Sequence, residues 1–338
     1  MWATAVNDTS YEYDSFLEYF KKSVHFTPPD NERRPPNASV SYSPAAFSRT
    51  GGPLQVSIPI WANSFSSFAK IGYDRLGIKQ AVDFVSGALA GVQYNMNTID
   101  PQKQTRSSSE TAYLRMIGSS RSFQIYNNTM AQKILFYGTT ASGVRVMSRN
   151  LTYTLTARRE IIVSAGAFQS PQLLMVSGVG PAKTLRQFNI PIIADLPGVG
   201  QNMWDHLLFG TSYRVSTLTH SATSNSTFLA EATEEYMTKN GSGPLGNPGA
   251  DLIAFEKLSS PERESLTPAT RAALADFPPD WPEIEYLALD AYMGNNSNHI
   301  TGAPKTPYMY VSPVAAIVAP SSRGNVSIAS ATMEDALR

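Results

Sequence analysis

One strand–turn–helix pattern has the spacing most suggestive of chemistry. Residues 160–163 (EIIV) are a short apolar run typical of strands buried on both faces. The small residues Ala165 and Gly166 then turn the chain, and a helix start is predicted with Ser170 at the cap and Pro171 at the first position. A helix that begins beside a strand end often faces a cofactor in α/β proteins. Both small residues are therefore candidate cofactor-binding residues, although close strand–helix packing explains them equally well.

Other catalytic arrangements are missing from the sequence. It contains no cysteine, which excludes disulfides, thiolate metal sites and cysteine nucleophiles. It has no Gly-x-Ser-x-Gly elbow of a serine hydrolase and no His/Asp/Glu cluster at metal-ligand spacing. No metal site is predicted. We assign no catalytic role to the four histidines, which are His25, His206, His220 and His299.

The composition is that of a globular chain without a dominant charge. Of the 338 residues, 42% are hydrophobic and 16% are charged, which is too apolar for a disordered protein. Lys+Arg and Asp+Glu both number 27, so no net field attracts nucleic acid or an anionic membrane. The longest apolar run, residues 314–319, is too short to span a membrane. Nucleic-acid binding and a membrane span are both disfavoured.

Hydrophobic periodicity predicts the surrounding elements. A capping box formed by Ser107 and Glu110 predicts a helix start at that point. Further helices are predicted near residues 13–22, 65–75 and 227–239. Strands are predicted at residues 54–60, 123–126, 131–137, 143–146, 152–156, 283–289 and 308–319. We expect the last of these strands to have few neighbours within this chain.

A family resemblance is carried by the segment that follows the apolar run. Residues 166–180 (GAFQSPQLLMVSGVG) match every fixed position of the second sequence signature of the glucose-methanol-choline (GMC) oxidoreductases. Residues 191–206 (PIIADLPGVGQNMWDH) resemble the family's continuation, and shorter similarities occur at 17–23, 51–54 and 322–326. The resemblance spans nearly the whole chain. It is strongest to a fungal branch with aryl-alcohol-oxidase-like dehydrogenases and synthases of polyketide secondary metabolism.

This resemblance implies a fold, a cofactor and a reaction. GMC oxidoreductases bind FAD and oxidise an alcohol, and a histidine near the flavin N5 takes the hydroxyl proton as hydride leaves for the ring. The implied fold class is α/β and α+β, with a partial FAD-binding Rossmann-like domain and an antiparallel-sheet substrate domain with helices. The implied cofactor is FAD, and the implied partner is a small-molecule alcohol or a polyketide-type substrate.

The resemblance also suggests domain boundaries and one more cofactor contact. Residues 1–115 are interpreted as a linking or lid segment with the first part of the substrate-binding region. Residues 116–205 are interpreted as the FAD-domain segment, and residues 206–338 as an incomplete substrate-binding domain. In the family, a strand residue contacts the adenine through its backbone, and Ala131 stands at the matching position. It is the third candidate cofactor-binding residue, with an ordinary strand alanine as the alternative.

Two family features have no counterpart in this sequence. The Gly-x-Gly-x-x-Gly turn that holds the flavin pyrophosphate is absent, because the nearest strings, beginning at Gly178 and Gly198, lack the third glycine. The C-terminal catalytic histidine is also missing, since the sequence ends soon after residues 324–326. We therefore expect a chain shortened at both ends relative to the family, and no catalytic residue is assigned.

Three functions stay open from the sequence. The first is an FAD-dependent alcohol dehydrogenase or oxidase of a fungal secondary-metabolite pathway. The second is a non-redox cyclase or synthase on the same fold. The third is a catalytically inactive member of the family, which the two missing features favour.

The glycosylation sequons of the sequence are evidence about the cellular compartment of the protein. Eight Asn-x-Ser/Thr sequons favour a glycoprotein of the secretory pathway or extracellular space in a full-length form. The residues after Met1 have neither the basic nor the apolar segment of a signal peptide. The sequons begin at Asn7, Asn37, Asn127, Asn150, Asn225, Asn240, Asn295 and Asn325.

Overall fold

The chain folds into two compact units. This computed structural model describes residues 2–118, 120, 122–294 and 303–337. The first unit comprises Met1–Ser119 and His206–Pro320, and the second comprises Ser120–Asp205 and Ser321–Arg338. The last of these segments thus groups with the signature-bearing part of the chain, although the sequence-based boundaries placed it with the residues after 205. The functional roles given to the segments stay predictions.

Helices occur in both units, and their bounds agree with three of the predicted ones. The helices at 13–22, 65–75 and 227–239 are confirmed. None of the described helices combines the length and apolar character needed to cross a membrane. The α-helices are α1 Trp2–Val6, α2 Tyr13–Ser23, α3 Ser64–Arg75, α4 Arg115–Ile117, α5 Gly166–Val176, α6 Ala182–Gln187, α7 Ser226–Thr238, α8 Ser260–Ser265 and α9 Pro268–Ala275.

The strands are short in most of the chain. A mixed helix-and-sheet fold was expected, and it is confirmed. The strands are β1 Val24–Phe26, β2 Leu54–Val56, β3 Gly91–Tyr94, β4 Thr129–Tyr137, β5 Thr140–Ser148, β6 Leu151–Thr156, β7 Val179–Gly180, β8 Ala194–Asp195, β9 Leu207–Gly210, β10 Tyr213–Val215, β11 Leu252–Glu256, β12 Ile284–Leu289 and β13 Met309–Ile317.

The first unit is built on an antiparallel sheet in the order β10-β13-β12-β11-β3, with β9 also pairing with β13. The strand β13 therefore lies inside the sheet, and the expectation that it has few neighbours is wrong. Its partners β9 and β10 come from residues 207–215, a stretch with little strand periodicity. These two strands form by pairing with residues far away in the sequence, although the local pattern of their own residues did not predict them.

One face of this sheet packs against α3 through a shared apolar core. Val92 and Tyr94 of β3 and Leu252 of β11 are almost fully buried there, and Phe65 and Ala69 of α3 pack against them. Burying this face removes the α3 side of the sheet from water and holds the helix across it.

A buried polar network also fixes the start of α3 to β11. Asp251 is 1% exposed, and its carboxylate accepts hydrogen bonds from the Asn63 N–H at 3.1 Å, the Asn247 Nδ2 at 2.8 Å and the Ser66 hydroxyl. A buried carboxylate is tolerated only with such partners. The network therefore specifies how the helix begins.

The predicted capping box does not form. Residues Glu110–Leu114 make a π-helical turn that runs into α4, without a side-chain cap. The Ser107 hydroxyl instead accepts a hydrogen bond from the Gln55 N–H at 3.0 Å. The hydroxyl that the local pattern assigned to a helix cap is therefore hydrogen-bonded to a residue distant in the sequence.

The second unit combines an antiparallel sheet with α5. Its strands run in the order β4-β5-β6, and α5 packs against β4. The strands expected at 131–137, 143–146 and 152–156 are confirmed. The strand expected at 123–126 is wrong, because this stretch pairs with no strand in the described part of the chain and exposes Phe123, Ile125 and Tyr126.

Candidate functional site

The apolar run 160–163 is not a strand in this chain. It has no ladder partner among the described residues. The side chain of Ile162 is 77% exposed, whereas Ile161 and Val163 pack against the apolar core of the second unit. The prediction of a strand buried on both faces is therefore wrong, because one face is covered and the other is open.

The helix α5 begins earlier than expected. Its first residue is Gly166, with a φ of +84°, and Ala165 occupies the cap position. Pro171 lies inside the helix. The Ser170 hydroxyl accepts a hydrogen bond from the Ala165 N–H at 2.9 Å. Ser170 thus stabilises the turn from within the helix, and its predicted role as the cap is wrong.

The glycine at the start of α5, Gly166, is required by its backbone conformation and not by close packing. A Cβ atom at Gly166 would meet no atom within 4 Å, while its positive φ is one that L side chains rarely adopt. Close packing of a strand and a helix, the alternative explanation for Gly166, does not hold in this chain. The surface beside Gly166 is open enough for a ligand to approach the backbone.

The first turn of α5 can interact with an anion. Its residues up to Gln169 are exposed, and no side chain caps the helix. The first N–H groups of a helix lack intrahelical partners, and the helix dipole places partial positive charge there. Such a terminus is suited to a phosphate or another anionic group.

Ala131 lies in β4, beside a bulge. The register with β5 skips Gln132, which is the extra residue of the bulged strand. Ala131 is partly buried at the edge of the same apolar core that Ile161 and Val163 border. The structure therefore places Ala131 and the chain leading into α5 against one core, which both regions help to enclose.

The later part of the signature has a packing role. A Cβ at Gly178, where φ is +96°, would lie 2.4 Å from the Pro191 carbonyl oxygen, and a Cβ at Gly180 would lie 2.8 Å from a methionine side chain. The Ser177 hydroxyl accepts a hydrogen bond from the Ile134 N–H of β4 at 2.8 Å. These residues fix the end of α5 against the sheet and the segment leading to β8.

The histidine His220 is held between two acceptors. Its Nδ1 lies 3.1 Å from Asp290 Oδ2, and its Nε2 lies 2.9 Å from the Pro244 carbonyl oxygen. Burial lowers the pKa of His220, but hydrogen bonds and the Asp290 charge outweigh burial and raise the pKa above its ordinary value. An imidazole facing two acceptors favours its doubly protonated form. Both nitrogens are engaged, so His220 holds its surroundings together and is not a free base.

The other two described histidines, His25 and His206, lie in different elements of the first unit. His25 lies in β1 at the edge of a cleft, and His206 is exposed just before β9. Burial raises the pKa of the half-buried Glu285, and the charge of His206 opposes that shift. His299 lies outside the described residues. Among the described residues, no group of three or more potential metal ligands occurs.

Three of the cavities formed by the described residues are lined by side chains other than the predicted cofactor residues. The first unit contains clefts of about 750 Å³ and 480 Å³, and the second unit contains one of about 460 Å³. None of them is lined by Ala131, Ala165 or Gly166. The cleft of about 750 Å³ is lined by Lys103 and Arg106, which carry no sequence motif that predicts a site. The sequence feature that could have identified these two cations is their spacing within one polar, Pro-containing turn.

The family of the chain follows from a comparison with protein-family models. The model of the GMC oxidoreductases matches residues 1–208, which is more than half of the chain. This chain belongs to the GMC oxidoreductase family. The resemblance seen in residues 166–180 is thereby confirmed, and the match also includes β4 and the whole of α5.

Curated fungal relatives extend over nearly all of this GMC chain. Patulin synthase of Aspergillus clavatus is 45% identical over 332 residues, which are 98% of this chain and 53% of the relative. Versicolorin B synthase of Aspergillus parasiticus is 39% identical over 337 residues, which are 97% of this chain and 50% of the relative. The GMC chain therefore spans about half the length of the curated relatives it matches.

A solved structure with the same fold is that of an FAD-dependent oxidoreductase from Chaetomium thermophilum. It is 26% identical and superposes with a TM-score of 0.83 over 99% of this GMC chain and 60% of its own. A likeness of this extent shows that the GMC chain has the fold of the corresponding part of that flavoenzyme.

Proposed function

We propose that this chain supplies part of an FAD-dependent GMC oxidoreductase of fungal secondary metabolism. The enzyme would transfer hydride from a CH–OH group of a small alcohol or polyketide-type substrate to the flavin. The observation that carries this proposal is the 45% identity to patulin synthase across 98% of the chain. Because the chain spans about half of that relative, the proposal concerns binding residues and assigns no catalytic base.

The start of α5 fits the adenosine half of FAD. Gly166 leaves open the space that a Cβ would occupy, and the uncapped first turn offers N–H groups to an anion. Ala165 and Gly166 would lie against the cofactor, and the β4 backbone at Ala131 would support the adenine. When bound, FAD supplies the ring that accepts hydride, while the residues of this chain orient it.

A titration of the purified chain with FAD tests this proposal. Binding is followed by flavin fluorescence and by the absorbance bands of the flavin. Gly166→Val places a side chain in the open space, and we expect it to weaken FAD binding by roughly tenfold, about 1.4 kcal/mol. Gly138→Val is the matched control, because Gly138 also has a positive φ, +59°, and open space around its Cβ, but lies in the turn between β4 and β5.

The pair of variants separates cofactor contact from backbone strain. Both introduce a side chain at a left-handed position, so both lower stability to a similar extent. Equal FAD affinity in the two variants would show that Gly166 acts only through folding. A wild-type chain that binds no FAD would contradict the proposed cofactor role.

A second candidate function is non-redox ring closure. A synthase among the relatives, versicolorin B synthase, keeps this alternative open at 39% identity across 97% of this chain. Product mass distinguishes the two reactions in the full-length protein, since alcohol oxidation removes two hydrogen atoms whereas dehydrative cyclisation removes one water. A cyclised product at an unchanged oxidation state would contradict the oxidoreductase proposal and support this one.

We also propose that the protein is N-glycosylated. The sequon asparagines within the described residues are all exposed, and Asn295 lies outside those residues. The Asn225 side chain caps α7 by accepting hydrogen bonds from the N–H groups of Thr227 and Phe228. Mass spectrometry of the protein from a fungal host, before and after glycosidase treatment, tests the proposal, and an unchanged mass would contradict it.

A further inference from the structure

A cleft of about 750 Å³ lies wholly within the first unit. One wall comes from β1 and β2, and the other comes from the turn at residues 100–107 and the start of the helical segment after it. Small-molecule sites typically have volumes of roughly 300–1,000 Å³. The cleft is thus large enough for a ligand, and it is separate from the predicted cofactor residues.

The charged side chains that line this cleft are mostly cations. Lys103, Arg106 and Arg115 line it, and Asp100 is the one carboxylate among its lining residues. Asp100 Oδ1 already accepts hydrogen bonds from the N–H groups of Gln102 and Lys103, at 2.9 and 3.1 Å. The Asp100 carboxylate therefore stabilises the turn that carries two of the cations, Lys103 and Arg106.

These cations are not neutralised by ion pairs. Within the described part of the chain, the Lys103 and Arg106 side chains make no salt bridge. Arg115 lies 3.6 Å from Glu110, but both side chains are more than 60% exposed, so this pair is weak. The whole chain has equal numbers of basic and acidic residues, 27 of each, so the excess positive charge is local to the cleft.

The turn that holds the cations is fixed in place. The Gln104 N–H donates to the Asp100 carbonyl at 2.8 Å, and the Asp100 N–H donates to the Thr105 carbonyl at 2.9 Å. The Tyr236 hydroxyl of α7 donates to the Gln104 carbonyl at 2.8 Å. Cations on an ordered turn lose less conformational entropy on binding a ligand than cations on a flexible loop.

We propose that this cleft binds the oxyanion group, a carboxylate or a phosphate, of a small molecule. Arginine presents a planar fork of donors that matches both groups, and lysine adds a compact positive charge. Arg106 and Lys103 hold the oxyanion, and Arg115 contributes from the helical segment that follows the turn. This site is independent of the proposed flavin contacts.

Isothermal titration of the purified chain with benzoate and with inorganic phosphate tests the site. We expect saturable binding of at least one probe, weakened by about three- to tenfold in Lys103→Gln and in Arg106→Gln, because each loses one charge-assisted contact. Arg106→Glu should abolish binding. Arg49→Gln is the control, since Arg49 is an exposed arginine of the same unit that does not line the cleft.

The two probes also identify the group that the cleft prefers. Tighter binding of benzoate indicates a carboxylate ligand, and tighter binding of phosphate indicates a phosphorylated one; both support the proposal. The replaced side chains are exposed, so circular dichroism should show an unchanged fold in every variant. Absence of saturable binding, or equal weakening in Arg49→Gln and Arg106→Gln, would overturn the proposal.

Discussion

The antiparallel sheet of the first unit and the extended segment 160–163 of the second unit differ in what lies beside them. In the sheet, β13 has β12 on one side and β9 and β10 on the other, and Val314 and Ala316 are each 4% exposed. The segment 160–163 has no ladder partner among the described residues, and Ile162 is 77% exposed. Apolar, β-branched residues are thus insufficient to make a strand, because the backbone also needs a neighbour.

Each unit also has an interior contact that a single substitution can test. In the first unit, a buried carboxylate, Asp251, joins a helix to the sheet by hydrogen bonds. In the second unit, the backbone approaches closely at glycines such as Gly178 and Gly200, as it also does at Gly52 and Gly91 of the first unit. The contact at Asp251 is sensitive to a change of polarity, and the contacts at the glycines are sensitive to a change of volume.

The largest expected effect is the loss of the Asp251 carboxylate. Asp251→Ala leaves buried donors of Asn63, Asn247 and Ser66 without their acceptor. Burial lowers the pKa of Arg34, and the charge of Asp251 partly offsets that, so the variant also removes a compensating charge. We expect the free energy of unfolding to fall by about 3–5 kcal/mol, measured by urea denaturation.

The control for this prediction is Asp280→Ala. Asp280 is an exposed carboxylate of the same unit, and its removal should change stability by less than about 0.5 kcal/mol. Similar losses in the two variants would show that the buried network does not stabilise the first unit.

The next largest effect concerns the second unit and the volume at Gly200. A Cβ at Gly200, where φ is +76°, would lie 2.2 Å from the Val326 carbonyl oxygen. Gly200→Ala should therefore lower the free energy of unfolding by about 2–4 kcal/mol, from overlap and backbone strain together. Gly198→Ala is the matched control, because its Cβ would meet no atom within 4 Å. If thermal denaturation showed equal stability for the two variants, close approach at Gly200 would not hold this unit together.

Elements with strong local periodicity could be predicted from the sequence. The helices α2, α3 and α7 and the strands β4, β5 and β6 follow the apolar pattern of their own residues. The side-chain partners of Ser107 and Ser170 could not be predicted in this way. Both residues read as helix caps, but Ser107 bonds the distant Gln55 and Ser170 bonds back to Ala165. A tertiary contact thus replaced the cap at Ser107, whereas Ser170 made a different local bond.

The residues at the start of α5 could be singled out from the sequence, but their geometry could not, and their role in cofactor binding stays a prediction. The family signature located Gly166, yet only the backbone showed that its glycine is required by a positive φ and not by packing. The cleft cations Lys103 and Arg106 carry no recognised motif. Their grouping with Arg115 arises because the turn 100–107 is folded against β1 and β2.

A smaller effect should appear in the pH dependence of the first unit. The pKa of His220 is raised in the folded state, so its stabilising contribution is complete below the unfolded value of about 6.5 and is lost as the pH rises through the folded value. Burial also raises the pKa of Asp290, and the loss of stability from this group begins at lower pH, above the unfolded value of about 3.9. The free energy of unfolding should therefore decrease above about pH 6.5.

The replacement His220→Gln tests the source of this pH dependence. It should remove most of the decrease above neutral pH, whereas His25→Gln, at an exposed position, should retain it. Urea denaturation at several pH values measures both. An unchanged pH profile in His220→Gln would assign the dependence to other groups.

The smallest change in stability is expected at the open face of the segment 160–163. Ile162→Lys should alter the free energy of unfolding by less than about 0.5 kcal/mol, since the side chain is already in water, but it should raise solubility by placing a charge on an unpaired edge. Val163→Lys forces a charge toward the apolar core and should cost about 1–3 kcal/mol. Comparing soluble yield and urea midpoints of the two variants measures whether alternate residues of this segment face opposite environments. Equal loss of stability would mean that both faces of the segment are covered. The segment would then no longer differ in burial from the paired strands of the first unit.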